Sequence, residues 1–257
     1  MRACIIGANG QDGSILTQKL LKKNIKTQCL TRNNFDLHDK KKIKETLLEI
    51  KPTHIFYLVA AHASTMEMSS IPKAKFLSVN YDGLRNLIGC LDSLRLKPWI
   101  FYPLSSKLYS NKSIVSENTI PKASCFYEES KLLAKDFMLS NYAPECVCFP
   151  IMFNHESKFR DCSYLSSSLV NFFSSKKSNL EVRYPNDRVD WGLATEFCDV
   201  FLELALMNFK GSLVIATGRA AKIKSMLQSL CEEYLKDFDR ISCNNINMNE
   251  RAVFADI

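Results

Sequence analysis

Short apolar runs and helical spacings alternate through the first 152 residues. Arg2–Ile6 is a compact apolar run, and apolar positions then recur at 15, 16, 20 and 21, one helix face, over Ser14–Leu21. Thr27–Thr31 reads as a second strand and Lys40–Ile50 as a helix that Pro52 stops. His54–Ala61 (HIFYLVAA) is apolar without alternation, the pattern of a parallel strand covered on both faces. A long helix is predicted over Pro72–Leu94, a fourth strand over Pro98–Leu104, a helix over Phe126–Asn141 and a fifth strand over Glu145–Met152. Strands alternating with helices predict an α/β fold: a Rossmann-type doubly wound parallel sheet with helices on both faces. Beyond residue 152 the regularity falls. Phe153–Arg160 reads as a polar loop, Asp161–Ser174 as a helix, Leu180–Tyr184 as a short strand and Asn186–Gly192 as a turn. Leu193–Met207 reads as a helix, Gly211–Thr217 as a strand and Ala220–Tyr234 as a helix. The division expected is 1–152 for the sheet domain and 153–257 for a small C-terminal lobe closing over its edge, with interleaved packing and one domain as the alternative.

In such sheets ligands bind at the carboxyl ends of the strands, and the chain places its chemistry there. The first strand runs into GANGQDG, with glycines at 7, 10 and 13. Strand, glycine turn and helix together form a dinucleotide fingerprint. Gly7 makes the tight turn, Gly10 lets the backbone approach a pyrophosphate, and Gly13 lets helix and strand pack closely. Gln11 and Asp12 open the helix whose N-terminus faces the phosphates. The second strand ends in Arg32, with no acidic residue for the ribose hydroxyls, which favours NADP over NAD. Asp36 and Leu37 are placed to touch an adenine ring, and Leu58 and Ala60 to let the cofactor pass. His62 reads as a wall residue.

Ser105, Tyr127 and Lys131 are the candidate catalytic residues. Tyr127 and Lys131 are four apart and share a helix face. A lysine there is expected to lower the phenol's pKa, so that tyrosine can exchange a proton with a sugar hydroxyl or ketone. Ser105, delivered by the fourth strand, can hold the same oxygen.

Composition narrows the class. The 257 residues are 46% hydrophobic, enough for a sizeable core. The net charge of +7 is spread along the chain, and the basic runs Lys19–Lys26 and Lys40–Lys44 lie in helical patterns. These are solvated faces, and without a basic–aromatic stripe nucleic acid is not the expected partner. No apolar stretch reaches the roughly 18 residues of a membrane span, and MRACIIGANG enters a strand without a leader pattern. The ten cysteines form no paired CxxC sets, so reduced thiols, a cytoplasmic location and no metal site are expected. Cys146 and Cys148 are expected on one face of one strand.

With these residues in hand the chain resembles the extended short-chain dehydrogenase/reductases of the nucleotide-sugar type, and among them it is most similar to GDP-mannose 4,6-dehydratases. GANGQDGS resembles their GITGQDGS, KPTHIFYLVAAHAS their KPTEIYNLGAQSHV, and IFYPLSSKLY aligns with FYQASTSELY. IMFNHES matches ILFNHES, and RVDWGLATEF resembles KRDWGHAKDY. The resemblance implies a bound NADP and a nucleotide-diphospho-sugar substrate, with a GDP-hexose favoured. It also implies oxidation at C4 of the hexose, loss of water across C5–C6, and hydride return to C6. It places Tyr127 and Lys131 on the family's catalytic pair and Ser105 on its catalytic threonine. It places Asn154 and Leu165 at the sugar nucleotide, with Ser106, Lys107, Arg188 and Arg251, and His155 and Arg160 near the cofactor. It further implies a homodimer through the Pro72–Leu94 and Phe126–Asn141 helices. The departures change the expected reaction. The family's catalytic glutamate reads Lys107 here, which an ammonium cannot replace as a base, and Glu67, Glu128 and Glu129 are the carboxylates left to do so. Val189 stands at the arginine before DWG, Ser166–Ser168 replace an Arg–Lys pair, and Phe254 stands at a late glutamate. A 4-keto-sugar reductase or epimerase, needing only Ser105, Tyr127 and Lys131, is one alternative. A degenerate relative that binds NADP with little catalysis is the other.

Overall fold

The computed structural model describes residues 1–62, 70–109, 114–243 and 254–255. The chain runs β1 (Arg2–Ile6), α1 (Gln11–Lys22), β2 (Lys26–Leu30), α2 (Lys40–Ile50), β3 (His54–Tyr57), α3 (Lys73–Phe76) and α4 (Gly83–Ser93), with a π-helical stretch Leu77–Asp82 joining α3 to α4. It continues through β4 (Trp99–Phe101), β5 (Leu104–Ser105), β6 (Ile114–Val115), α5 (Phe126–Asn141), β7 (Val147–Met152) and β8 (Asn154–Glu156). The later elements are α6 (Leu165–Phe173), β9 (Leu180–Val182), β10 (Arg188–Leu193), α7 (Ala194–Leu206), β11 (Gly211–Ile215), β12 (Ala220–Lys222), α8 (Ile223–Glu233), β13 (Ile241–Cys243) and β14 (Phe254–Ala255).

The main sheet is parallel in the order β11-β7-β4-β3-β1-β2, with β5 also pairing β7. This is the doubly wound α/β fold expected. The central strands are covered on both faces, so β3 and β7 are buried along their whole length. The edge strand β2 alternates. From β1 the chain steps outward to β2 and then crosses back to β3, which leaves a crevice at the carboxyl ends of β1 and β3, the switch point where such folds take ligands. α1 packs with α7 on one side, and α2, α4 and α5 pack together on the other.

A second, smaller core gathers Leu169, Phe172, Leu180, Val182, Ile223, Leu227, Cys231 and Ile241 from α6, β9, α8 and β13. Between these segments α7 and β11 return to the main sheet, so the lobe and the sheet domain interleave along the chain. Two local readings are corrected. Asn186–Gly192 is not a turn throughout: from Arg188 it is β10, which pairs with β8 and β12 and buries Asp190 as acceptor of the Thr217 N–H and hydroxyl. Cys146 closes a short 3₁₀ turn and Cys148 lies buried in β7, so they do not share a strand. Among the described residues no helix is long and apolar enough to cross a membrane.

Candidate active site

The crevice is floored by the glycine turn. Gly7 has φ +97°, and a Cβ there would lie 2.8 Å from the Val59 amide nitrogen at the end of β3. A Cβ on Gly13 would lie 2.3 Å from the Gly7 carbonyl oxygen, so α1 can press against the turn only because residue 13 is glycine. Gly10 has no such clash, its nearest neighbour lying at 3.4 Å. It caps α1 with backbone alone and without a side-chain hydrogen bond, which leaves the first amides of the helix for a phosphate.

Asp12, in that first turn, would repel a phosphate were it not paired. His155 Nε2 lies 3.1 Å from both Asp12 carboxylate oxygens, and Nδ1 lies 2.8 Å from the Phe153 carbonyl oxygen. Both ring nitrogens therefore face acceptors, which fits an imidazolium. Burial works against both charges, but each partner outweighs it: Asp12 is held below the usual carboxylate range and His155 above the usual imidazole range. Gln11 donates to the His155 carbonyl at 3.0 Å and accepts from Ser157 at 3.0 Å. The glycine turn and the start of the lobe are thus bolted together, with the Asp12 charge neutralised. The turn, the uncapped helix end and this pairing fit a dinucleotide pyrophosphate.

Ser105 stands at the end of β5, and Tyr127 and Lys131 lie on α5. Ser105 is close enough to the Tyr127 phenol to favour its ionised form, and its Oγ accepts the Lys107 backbone N–H at 3.2 Å. α5 is fixed against the π-helical stretch. Asn80 Oδ1 accepts the Ala61 N–H at 2.7 Å, its Nδ2 donates to Ser130 Oγ at 2.9 Å, and the Tyr102 hydroxyl donates to its carbonyl at 3.0 Å. Helical segments of this kind cluster at functional sites.

The expectation that Lys131 acidifies Tyr127 is not met. Burial pushes the Tyr127 phenol well above its usual range; Ser105 opposes this, and Tyr164 adds to it. The Lys131 ammonium donates to the Pro103 carbonyl at 3.1 Å and sits 4.4 Å above the Tyr102 ring. Burial brings Lys131 itself down to about 7. Sharing a helix face put the two residues together, but desolvation, not charge proximity, sets both proton affinities.

Two of the three carboxylates considered in place of Lys107 are engaged elsewhere. Glu128 accepts the Ser124 N–H at 2.6 Å and hydroxyl at 2.7 Å, just ahead of its own helix, and Glu129 pairs with Lys73 at 3.2 Å on the surface. Glu67 and Arg251 lie outside the described residues. His62, read as wall, packs on the Tyr127 ring at 4.9 Å and is hydrogen-bonded to Tyr164. Tyr164 was missed by sequence reasoning, since a tyrosine in a polar stretch carries no signal.

The remaining residues are spread around this centre. Arg32 and Asp36 are exposed at the end of β2, Asp36 accepting the His38 N–H at 2.9 Å, while Leu37 turns inward onto Gly83 of α4. Leu58 extends the ladder by donating to the Ile6 carbonyl at 2.9 Å, and Ala60 is half-buried beyond it. Arg160 bonds Glu156 at 2.7 Å and the His155 carbonyl at 2.5 Å. Ser106 and Lys107 form a half-buried 3₁₀ turn after Ser105. Asn154 is exposed on β8, Leu165 packs against the second core, and Arg188 is exposed at the start of β10. Among the described residues no group of three or more His, Cys, Asp or Glu is placed to hold a metal ion.

A family model described as the NAD dependent epimerase/dehydratase family matches residues 3–215. The chain belongs to the NAD dependent epimerase/dehydratase family. Within it, the chain is 25% identical to a GDP-mannose 4,6 dehydratase of Dictyostelium discoideum, over 90% of this chain and 75% of that protein. It is 24% identical to GDP-mannose 4,6 dehydratase 2 of Caenorhabditis elegans, over 86% and 68%. Solved structures share the fold. UDP-glucose 4-epimerase of Thermus thermophilus, in complex with NAD, superposes with a TM-score of 0.78 at 16% identity, over 98% of this chain and 90% of that one. RMD from Pseudomonas aeruginosa, complexed with NADPH, gives 0.81 at 18% identity, over 99% and 89%.

Proposed function

We propose that this member of the epimerase/dehydratase family is a nicotinamide-dinucleotide-linked enzyme that acts at C4 of the hexose of a nucleotide-diphospho-sugar, with a GDP-hexose and NADP favoured. The carrying observation is a buried Tyr127 phenol influenced by Ser105, with Lys131 one turn along the same helix, in a fold whose first strand runs into an uncapped glycine-turn helix. The dehydratase relatives support the GDP-sugar, and Arg32 supports the 2′-phosphate. In this reading Gly7, Gly10, Gln11, Asp12 and Gly13 hold the dinucleotide, which when bound supplies hydride acceptance and return. Ser105 orients the sugar oxygen. Tyr127 holds or moves the proton at its phenol oxygen, and Lys131, close to neutral at about 7, exchanges charge with the site at little cost. The chain works as a homodimer in the cytoplasm.

One observation favours a 4-keto-sugar reductase over a dehydratase. Tyr127 is held protonated, as a proton donor to a ketone must be. Lys107 stands where elimination needs a base, and Glu128 and Glu129 are committed to Ser124 and Lys73. The test is mass spectrometry of the chain incubated with NADP and a panel of GDP-, dTDP-, UDP- and CDP-sugars, then with 4-keto-sugars and NADPH. Loss of water from one sugar establishes dehydration. Gain of two hydrogens by a 4-keto-sugar establishes reduction. Neither product leaves a dinucleotide-binding relative and overturns the enzymatic reading.

A further inference from the structure

His62 and Tyr164 lie 102 residues apart and have no part in the chemistry above, yet they meet against the reactive phenol. His62 Nδ1 and the Tyr164 hydroxyl are hydrogen-bonded, and the two rings run nearly parallel, at 13°. The imidazole meets the Tyr127 ring almost at right angles, at 72°, with centroids 4.9 Å apart. Phe76 abuts the same ring at 66° and 6.2 Å. Two ring contacts of this kind fix the plane of the phenol as well as its place, because edge-to-face packing is lost when either ring turns.

Tyr164 is itself anchored. The Arg160 guanidinium lies 4.7 Å from its ring centroid, and the same guanidinium bonds Glu156 and the His155 carbonyl. His155 is bonded in turn to Asp12 in the first turn of α1. The ring that steadies His62 therefore hangs from the rigid cofactor end of the cleft. Histidine suits the place. A phenylalanine has nothing for the Tyr164 hydroxyl to bond. A lysine or arginine would add another cation beside Lys107, Arg160 and Lys131.

We propose that His62 and Tyr164 are a positioning pair for Tyr127: Tyr164 holds the imidazole, and the imidazole holds the phenol ring in the plane that points its hydroxyl into the cleft beside Ser105. The proposal rests on the reading of Tyr127 as the reactive phenol. Its logic is division of labour, with Ser105 fixing the oxygen and His62 the ring. Burial and the charges of Lys107, Arg160 and Lys131 bring His62 down to about 3, so the ring does this as a neutral group at any physiological pH.

Tyr164→Phe removes one hydroxyl and keeps the ring under Arg160. His62→Phe keeps a ring against Tyr127 and removes the nitrogen, and His62→Gln is the second variant should that one fail to fold. The full chain, labelled with ring-¹³C tyrosine, is followed by NMR, the Tyr127 signals being assigned by their loss in Tyr127→Phe. In the unmodified chain the two edges of the Tyr127 ring give distinct signals. In the variants the ring turns faster and the edges average. With the substrate found by the mass-spectrometric panel, kcat falls about 10²-fold, the scale of a small misplacement at the reacting atom, with KM unchanged. Unaltered Tyr127 ring signals in Tyr164→Phe overturn the pair, as does an unaltered kcat. Full turnover in Tyr127→Phe sinks the reading of the reactive phenol instead, and the ring signals still decide the pair.

Discussion

The two ends of the cleft are built by different means. At the cofactor end the constraint is backbone: Gly7 and Gly13 stand where a Cβ has no room, and the Asp12 carboxylate has a dedicated partner in His155. At the sugar end the constraint is side chain. His62, Ser105 and Tyr164, from three other segments, gather around the Tyr127 phenol, and one turn along α5 burial brings Lys131 down to about 7. The first arrangement is set by main-chain packing and a paired charge. The second keeps a destabilised group where chemistry needs one, so the ends should respond oppositely to substitution.

The largest expected effect is at the glycine turn. Gly13→Ala places a methyl 2.3 Å from the Gly7 carbonyl oxygen and 2.8 Å from the Ala8 Cα, both main-chain atoms that cannot swing aside. The strain is expected to cost about 3 kcal/mol or more, read as a lower midpoint in urea unfolding. Gly10→Ala meets nothing closer than 3.4 Å, so it should leave the unfolding midpoint nearly unchanged and weaken only dinucleotide binding. If both variants unfold alike, tight packing does not explain the turn.

Next is the ion pair. Asp12→Asn removes the carboxylate to which the imidazole of His155 is bonded, at a cost of about 2 kcal/mol for charge-assisted bonds. Asp12 titrates low when folded, so its contribution is present above the ordinary carboxylate value of 3.8 and is lost as pH falls through the folded value. His155 titrates high, so its contribution is complete below the ordinary imidazole value of 6.5 and is lost as pH rises through the folded value. The penalty of Asp12→Asn should therefore be greatest between pH 3.8 and 6.5 and shrink on either side. A penalty flat with pH would mean that the contact is packing alone.

Lys131→Met carries the comparison to the sugar end and should have the opposite sign. The unfolded chain takes up the lysine proton at 10.5 and the folded chain only near 7, so between these values the unfolded state binds more protons and stability rises with pH. Removing the amine removes that penalty. The melting temperature of Lys131→Met should exceed that of the unmodified chain by a margin that grows as pH falls from 10.5 to 7, while turnover is lost. A variant less stable at pH 7 would show that the Pro103 and Tyr102 contacts outweigh desolvation.

The same contrast explains what the sequence discloses. The glycine turn is legible because its requirements are local: a positive φ and two absent Cβ atoms depend on neighbours in the chain or on the adjoining strand. Tyr127 and Lys131 are legible as a pair because four residues make one helical turn, but their proton affinities are not, since burial depends on segments as distant as Phe76 and Tyr164. Asn186–Gly192 reads as a turn from its Asn, Asp and Gly content, whereas pairing with β8 and β12 overrides that propensity. The His62–Tyr164 contact leaves no periodic or compositional trace at a separation of 102 residues. Lys107 is legible only as a departure from a resemblance, and its meaning came from finding Glu128 and Glu129 already engaged.

The smallest expected effect tests the one specificity feature that lies on the open rim of the cofactor end. Arg32 follows β2 on the surface, where solvent screens its charge. An exposed ion pair of this kind contributes about 0.2–1 kcal/mol, so Arg32→Ala should weaken NADP binding by only a few-fold and leave NAD binding unchanged. Isothermal titration with each dinucleotide reads the difference. Because Arg32 lies apart from the Asp12–His155 pair, its loss should add to that of Asp12→Asn in the double variant. Equal losses for NADP and NAD would remove the 2′-phosphate role and leave the choice of cofactor to groups deeper in the crevice.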